Sequence, residues 1–330
     1  MLTNPILVIT DHVGDPVQGF TLTGPSQQLL TLARSLTAGP VHAVALNPDP
    51  DMEALGAYGV SEVFTPDLCG VSPRVAAVVA DAALAVIRQA EYAAVLNVSN
   101  YRGREVAGIL AAKLHSGAAV DVTACKVVDG ELQASKTVLG GTWATSFKVA
   151  RGTPIISLRP SAVEAVAAEA VTSPTVTAVP VEYSAAAKAV QVVSSEEQGS
   201  DGRVALAEAP IAVIGGRGVD GDFTLVEELA DALGAGVGAT RVACDEGWIE
   251  RSAQVGQTGV TIAPRLYIGL GVSGAVHHTC GIQASQKIVA VCDDPDAPIF
   301  ELTDFGVVGD INEVVPQALE ELRNLGVVNN

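Results

Sequence analysis

Two patterns of apolar residues recur along the chain. Short β-branched runs bounded by turn residues, "PILVIT" and "VHAVALN", predict buried strands. Between them "PSQQLLTLARSLTAG" spaces Leu and Ala at helical intervals and stops on Gly. The alternation continues. "SEVFTP" predicts a strand, "VAAVVADAALAVIRQAE" an amphipathic helix, "YAAVLNVSN" a strand and "YRGREVAGILAAKLHSG" a helix. From Ala118 to Pro160 the chain reads as consecutive strands, with the hairpin signal "VDGEL" inside them. Alternating β and α predicts a mostly parallel sheet, here with an antiparallel extension.

Between residues 185 and 208 the texture changes, and "SSEEQGSDG" crowds Ser, Glu, Gly and Asp together. This predicts a boundary between domains at 1–195 and 196–330. The α/β alternation then restarts. "PIAVIGGRG", "AGVGATRVA", "RLYIGLG", "KIVAVCDD" and "DFGVVGD" predict strands. "DFTLVEELADALG", "SGAVHHTCGIQAS" and "INEVVPQALEELRN" predict helices. The expected fold class is α/β, as two doubly wound domains with mostly parallel sheets.

Composition agrees with this and removes several functions. Of 330 residues, 48% are apolar and only 4% aromatic, a profile of small side chains packed between helices and sheet. A net charge of −18 argues against binding nucleic acid and against docking on anionic membranes. No apolar run approaches the length of a membrane span. Cys69, Cys125, Cys244, Cys280 and Cys292 form no C-x-x-C pair, so zinc ribbons and iron–sulfur clusters lack ligands. The odd count and the absence of a signal peptide lead us to expect reduced thiols and a cytoplasmic protein. His12, His42 and His115 are scattered without metal-ligand spacing, and no G-x-S-x-G elbow, H-E-x-x-H or P-loop occurs.

The candidate chemistry gathers on one edge. In a parallel sheet the strand C-termini line up, so five segments are expected along one crevice. They are Gly215–Gly218 with Arg217, Thr240–Arg241, Gly269–Gly274, Cys292–Asp294 and Asp310. "YIGLGVSGAVHHTCG" holds Gly269, Gly271 and Gly274 in G-x-G-x-x-G spacing, with Asp293 beyond. That spacing keeps open a nicotinamide-dependent dehydrogenase acting alone. Such a fingerprint follows the first strand of its sheet, however, and here earlier strands of the domain precede it. The plainer reading is a tight strand–helix crossover that needs small residues. A helix at that point offers backbone N–H groups and a dipole to a phosphate. His277 and His278 fall in its first turn, where neutral imidazole is expected, one of them facing the crevice. "QVGQTG" has amide and hydroxyl groups suited to the polar edge of a heterocycle.

Residues 255–310 resemble the flavin-binding signature of the electron-transfer flavoprotein alpha subunit. The matching segments are V-G-Q-T-G, "PRLYI", "SGAVHH", "IVAVCDD", "DPDAPIF" and "DFGVVGD", with "GGRG" and "VGATR" upstream. The first domain is similar more loosely. The resemblance implies FAD in a C-terminal Rossmann-like (flavodoxin-like) domain, and a first domain similar to the beta subunit fold without a cofactor. It implies a heterodimer with a beta subunit, and an electron carrier rather than a substrate-transforming enzyme. Its donors are flavoprotein dehydrogenases, such as the acyl-CoA dehydrogenases of fatty acid β-oxidation, and its acceptor is a membrane quinone oxidoreductase. Carried onto this sequence, Thr258 lies near flavin N5, Gln257 on the polar edge of the ring, and Arg241 beside it, favouring reduced forms. His278 faces the pyrimidine end. Ser273 and Gly274 cradle the diphosphate, Arg217 and Thr240 line the cleft, and Asp310 reaches the adenosine end. Val255, Gly256, Ala275, Val276, His277, Cys292 and Ile311 complete the expected FAD-binding set. Two positions depart from the family: Cys292 replaces an Asn, and His277 stands where Gln is common.

Overall fold

The computed structural model describes residues 1–139, 143–195 and 202–327. The chain forms two compact units that part within residues 196–201. The expected domain boundary therefore lies at the edge of a stretch outside the described residues, as do residues 140–142 of the expected strand run.

In the first unit Ile6, Leu7 and Val8 are all fully buried, although successive side chains of a strand point to opposite faces. Both faces of the sheet are therefore covered. Ile6 and Val8 pack with Leu29, Leu30 and Ala33 of the helix Gly24–Leu36. Leu7 and Ile9 pack with Val79 and Ala83 of Ala76–Ile87 and with Val106 and Leu110 of Tyr101–Lys113. The sheet between these layers has seven parallel strands. Their order is Thr175–Val179, Val60–Pro66, Val41–Ala45, Ile6–Thr10, Ala94–Val98, Ile155–Leu158 and Ala118–Val122. Helix starts are set locally: Asn100 accepts from Gly103 N at 2.8 Å, and Thr23 caps Gly24–Leu36 with Pro25 in its first turn.

The antiparallel strands do not extend this sheet. Ala124–Val128, Glu131–Val138 and Trp143–Phe147 hydrogen-bond into a three-stranded sheet of their own. The two outer strands alternate between exposed and half-buried, and Leu132 and Ala134 of the central strand are buried, the pattern of a sheet packed on one face. Three elements carried no readable apolar pattern. These are the hairpin His12–Asp15/Gly19–Leu22, the short helix Met52–Ala57 and the exposed edge strand Thr175–Val179.

The second unit is a five-stranded parallel sheet. Its strands, numbered within this unit, are β1 (Ile211–Gly215), β2 (Gly236–Ala239), β3 (Leu266–Leu270), β4 (Lys287–Cys292) and β5 (Phe305–Val308). Their spatial order is 2-1-3-4-5, every pair parallel, the flavodoxin-like doubly wound order. Helices α1 (Thr224–Leu233), α2 (Arg241–Asp245), α3 (Val276–Thr279) and α4 (Ile311–Asn324) connect and close it. Two expectations change here. The strand read into "AGVGATRVA" ends at Ala239, and Arg241 opens a helical turn. The helix read over 273–285 is the single turn α3. Val, Thr, Cys and two His are weak helix formers. Past that turn Gly281 lies flush on another loop: a Cβ there would stand 2.6 Å from Gly256 Cα. Among the described residues no helix is long and apolar enough to cross a membrane.

One buried carboxylate ties three helices of the first unit, Ala76–Ile87, Tyr101–Lys113 and the short Ala185–Lys188. Asp81 accepts from Lys113 Nζ at 2.8 Å, Ser184 N at 2.8 Å and Ser184 Oγ at 2.7 Å. Burial pushes its carboxyl up, but these donors outweigh burial and hold it below the usual 3.8. Its stabilisation is complete above that value and is lost as pH falls below it. We expect Asp81→Ala to lower stability by about 2–3 kcal/mol in urea melts at neutral pH. The gap to the wild type should narrow as the pH falls through the carboxylate range; a pH-independent gap would contradict this assignment.

Candidate functional site

The strand order of the second unit reverses between β1 and β3, and the crossovers leaving these strands meet backbone to backbone. Gly216 N donates to Leu270 O at 2.9 Å, and Gly218 N to Gly271 O at 3.0 Å. A Cβ on Gly216 would stand 2.2 Å from Gly271 O, and one on Gly271 2.6 Å from Gly218 Cα. The other two glycines of the triplet are also enclosed. A Cβ on Gly269 would lie 3.0 Å from Tyr267 Oη, and one on Gly274 (φ +84°) 2.3 Å from Ile299 N. Each glycine thus has a packing cause. The nicotinamide spacing arises from close backbone approach after the third strand of the sheet.

At this reversal lies a cleft of about 320 Å³. Ligands of doubly wound sheets bind at such a point. Arg217 from the turn after β1, and Thr240, Arg241 and Val242 from the start of α2, line it. So do Gln254, Val255, Gly256 and Thr258 from the loop before β3. Val272, Ser273, Gly274, Ala275, His277 and His278 complete the wall. Within a chain of net charge −18, this lining holds two arginines and no carboxylate. Arg217 makes no ion pair among the described residues, while Arg241 Nε donates to Asp245 Oδ2 at 3.1 Å. Such a wall selects an anion.

Backbone donors add to this. Among the described residues, the N–H groups of Ser273, Gly274, Ala275, Val276 and His277 meet no protein acceptor. The helix expected to lend them its dipole is one turn, so attraction rests on the N–H groups themselves and the arginines. Unpaired donors in a row, a cradle a Cβ would fill and two cations fit a phosphate-bearing ligand such as a dinucleotide.

The loop at 254–259 is fixed from several sides. Val255 N donates to Ala239 O at 2.9 Å, and Gln257 N to His277 O at 2.7 Å. His278 is 5% exposed, and its Nδ1 lies 3.0 Å from Val255 O. A carbonyl only accepts, so Nδ1 carries the proton and Nε2 accepts from the Tyr267 hydroxyl at 2.8 Å. Burial pushes the imidazole down to about 4 against the pull of the Val255 carbonyl, and burial raises the Tyr267 phenol. The ring is therefore neutral, and it meets the cleft with carbon atoms, both nitrogens being held by the protein. His278 lines the cleft. His277, exposed, has its Nδ1 2.7 Å from Gln257 Oε1.

Five of the expected residues lie outside the lining. Gln257 reaches the cleft only through His277, and Val276 is exposed on α3. Cys292 ends β4, buried, its thiol pushed up by that burial. Asp310 caps α4, accepting from Asn312 N at 2.8 Å, and Ile311 is buried in the core. Val242, Gln254 and Val272 line the cleft without having been singled out. Only Gln254 carried a signal, as the residue that opens "QVGQTG".

The bonded state of His278 leads to a measurable outcome. Its folded value lies below its unfolded 6.5, so stability is complete above that value and declines as pH falls from about 6.5 toward about 4. Nitrogen-15 NMR of the imidazole is expected to show the neutral Nδ1–H form throughout pH 5.5–8, an interval spanning the ordinary histidine range. A midpoint near 6.5 would overturn the buried, doubly bonded assignment.

Residues 205–283 match the family described as electron transfer flavoprotein FAD-binding domain. Residues 16–184 match the electron transfer flavoprotein domain. The electron transfer flavoprotein subunit alpha of Mycobacterium leprae is 38% identical over 322 residues, covering 96% of this chain and 98% of the relative. That of Bacillus subtilis is 34% identical over 279 residues, 82% of this chain and 83% of the relative. That of Syntrophomonas wolfei is 38% identical over 246 residues, 73% and 75% respectively. The chain belongs to the electron transfer flavoprotein alpha-subunit family, and its second unit is the FAD-binding domain of that family.

Proposed function

We infer that this chain is the alpha subunit of a heterodimer that carries electrons on FAD. Its donors are flavoprotein dehydrogenases, including acyl-CoA dehydrogenases of fatty acid β-oxidation, and its acceptor is a membrane quinone oxidoreductase. A beta subunit of similar fold completes the site. The observation that carries the reading is the carboxylate-free, arginine-lined cleft at the strand reversal, inside the segment that matches an FAD-binding domain. The alpha-subunit names of the relatives support the heterodimer.

Bound FAD supplies the redox chemistry by taking up and releasing electrons. The chain's own residues bind and orient it. Ser273, Gly274 and Ala275 offer unpaired N–H groups to the diphosphate. Arg217 and Arg241 place positive charge on the cleft wall, favouring an electron-rich ring. Thr258 presents a hydroxyl to the ring, and the Gln257–His277 pair holds the mouth on the polar side. Val255 and Val272, both buried, exclude water. Cys292 at the end of β4, and Asp310 and Ile311 at the start of α4, serve the adenosine end. A neutral Cys292 thiol there is a weaker partner than the family's Asn.

The first test is a visible spectrum of the chain purified gently from its own cells, with copurifying proteins identified. A flavin spectrum, FAD on release and one partner of similar fold are expected. A colourless chain that takes up no FAD, even with the beta subunit present, ends this reading. A second test is Gly274→Ala. The added methyl meets Ile299 N at a residue with φ +84°, so we expect about 1–3 kcal/mol lost in a denaturant melt. FAD affinity should fall about tenfold or more as the cradle moves. A flavin titration that matches the wild type would remove Gly274 from the cradle.

A further inference from the structure

A line of polar contacts runs from the arginine on the cleft wall to the hydroxyl of Thr258. Arg241 Nε donates to Asp245 Oδ2 at 3.1 Å, and Arg251 Nη2 donates to Asp245 Oδ1 at 2.5 Å. Arg251 Nη1 donates to Gln254 Oε1 at 3.2 Å, and Gln254 Nε2 donates to Thr258 Oγ1 at 2.9 Å. Each direction is forced. A guanidinium only donates, so the oxygen of the Gln254 amide faces Arg251 and its nitrogen faces Thr258. An amide nitrogen only donates, so Thr258 Oγ1 accepts. Gln254 is 2% exposed, and a reversed amide would set its nitrogen against the Arg251 guanidinium, donor against donor. The single hydroxyl proton of Thr258 has no acceptor among the described residues, and Thr258 lines the cleft.

We propose that Gln254, oriented by Arg251, is a positioning residue that commits the Thr258 hydroxyl to donate a hydrogen bond to the ligand in the cleft. The proposal rests on the reading of that ligand as FAD. An oxidised flavin ring presents unprotonated nitrogens and carbonyl oxygens, all acceptors for this proton. A ring nitrogen protonated on reduction becomes a donor, and to meet it the Thr258 hydroxyl must give up its own donated bond and turn its proton away. Gln254 therefore favours the oxidised ring through Thr258, in opposition to the arginine charges, and so trims the preference that the cleft wall creates. Neither Gln254 nor Arg251 needs to touch the flavin ring for this.

The test is Gln254→Glu in the FAD-loaded holoprotein. The carboxylate keeps an oxygen toward Arg251 and turns a second oxygen toward Thr258, drawing the hydroxyl proton away from the cleft. Its charge acts whether or not the hydroxyl is present, so the same substitution is made in a Thr258→Val background and the difference taken. The readout is the ratio of FAD dissociation constants, oxidised over reduced, the latter measured anaerobically. We expect that ratio to rise about five- to tenfold more with Thr258 present than in its absence. Loss of packing alone would move both constants together. Equal changes in the two backgrounds overturn the proposal. Arg251 is exposed, so Arg251→Leu perturbs folding least; freeing the amide to turn, it should move the ratio in the same direction, and no movement overturns the role of Arg251. If the unsubstituted chain binds no FAD, the flavin reading itself fails and takes the proposal with it. If it binds FAD and the cycle shows no coupling, only the proposal fails.

Discussion

The site depends on a contact between two stretches of bare backbone. Where the strand order of the second unit reverses, Gly216 and Gly218 lie directly on Gly271, with hydrogen bonds from Gly216 N to Leu270 O at 2.9 Å and from Gly218 N to Gly271 O at 3.0 Å and no space for a side chain between them. A second contact of this kind follows, with Gly256 against the His277 carbonyl and Gly281 against Gly256. These approaches bring the turns after β1 and β3 and the loop at 254–259 to a common rim. A substituted Cβ at any of them would part the loops by the width of a methyl group. The cleft is what remains when three crossovers are drawn together at their glycines.

With the backbones fixed, polar groups decide what the cleft favours. The chain is strongly acidic, yet its carboxylates stay off the cleft wall, and Asp245 is shared between Arg241 and Arg251 behind it. Fixed partners set the direction of the remaining bonds. Tyr267 and Val255 hold His278 as one neutral tautomer. Arg251 sets the amide of Gln254. Interior hydrogen bonds with assigned direction cost nothing to reorganise when a ligand arrives, which is how a site made of ordinary residues becomes selective.

The first unit shows the contrast. Its sheet also reverses, between Ile6–Thr10 and Ala94–Val98, and Asp11, Asn100 and Arg102 stand at that point. There Arg102 donates to Asp11, and the space left is about 10 Å³, against about 320 Å³ in the second unit. The same doubly wound logic thus yields a filled crevice where an ion pair closes it and an open one where glycines meet.

Much of this was legible in the residues. β-branched runs and helical spacing placed the inner strands of both parallel sheets, because burial on both faces leaves a nearly continuous apolar signal. The strand ends located Arg217, Thr240 and Ser273, since parallel strands share one C-terminal edge, and the long V-G-Q-T-G to "DFGVVGD" pattern carried the family. Other features depended on neighbours distant in sequence. The α3 turn stops where Gly281 meets Gly256, a contact no local propensity contains. The hairpin at His12–Leu22 and the strand Thr175–Val179 expose most of their side chains, so burial left no pattern to read. His278 is held as one neutral tautomer because Tyr267, eleven residues earlier, and Val255, twenty-three earlier, both bond it. Sequence determined which segments become strands and which residues reach the shared edge. Only the tertiary structure decided which atoms those residues present, because hydrogen-bond direction and close backbone approach are properties of pairs brought together by the fold.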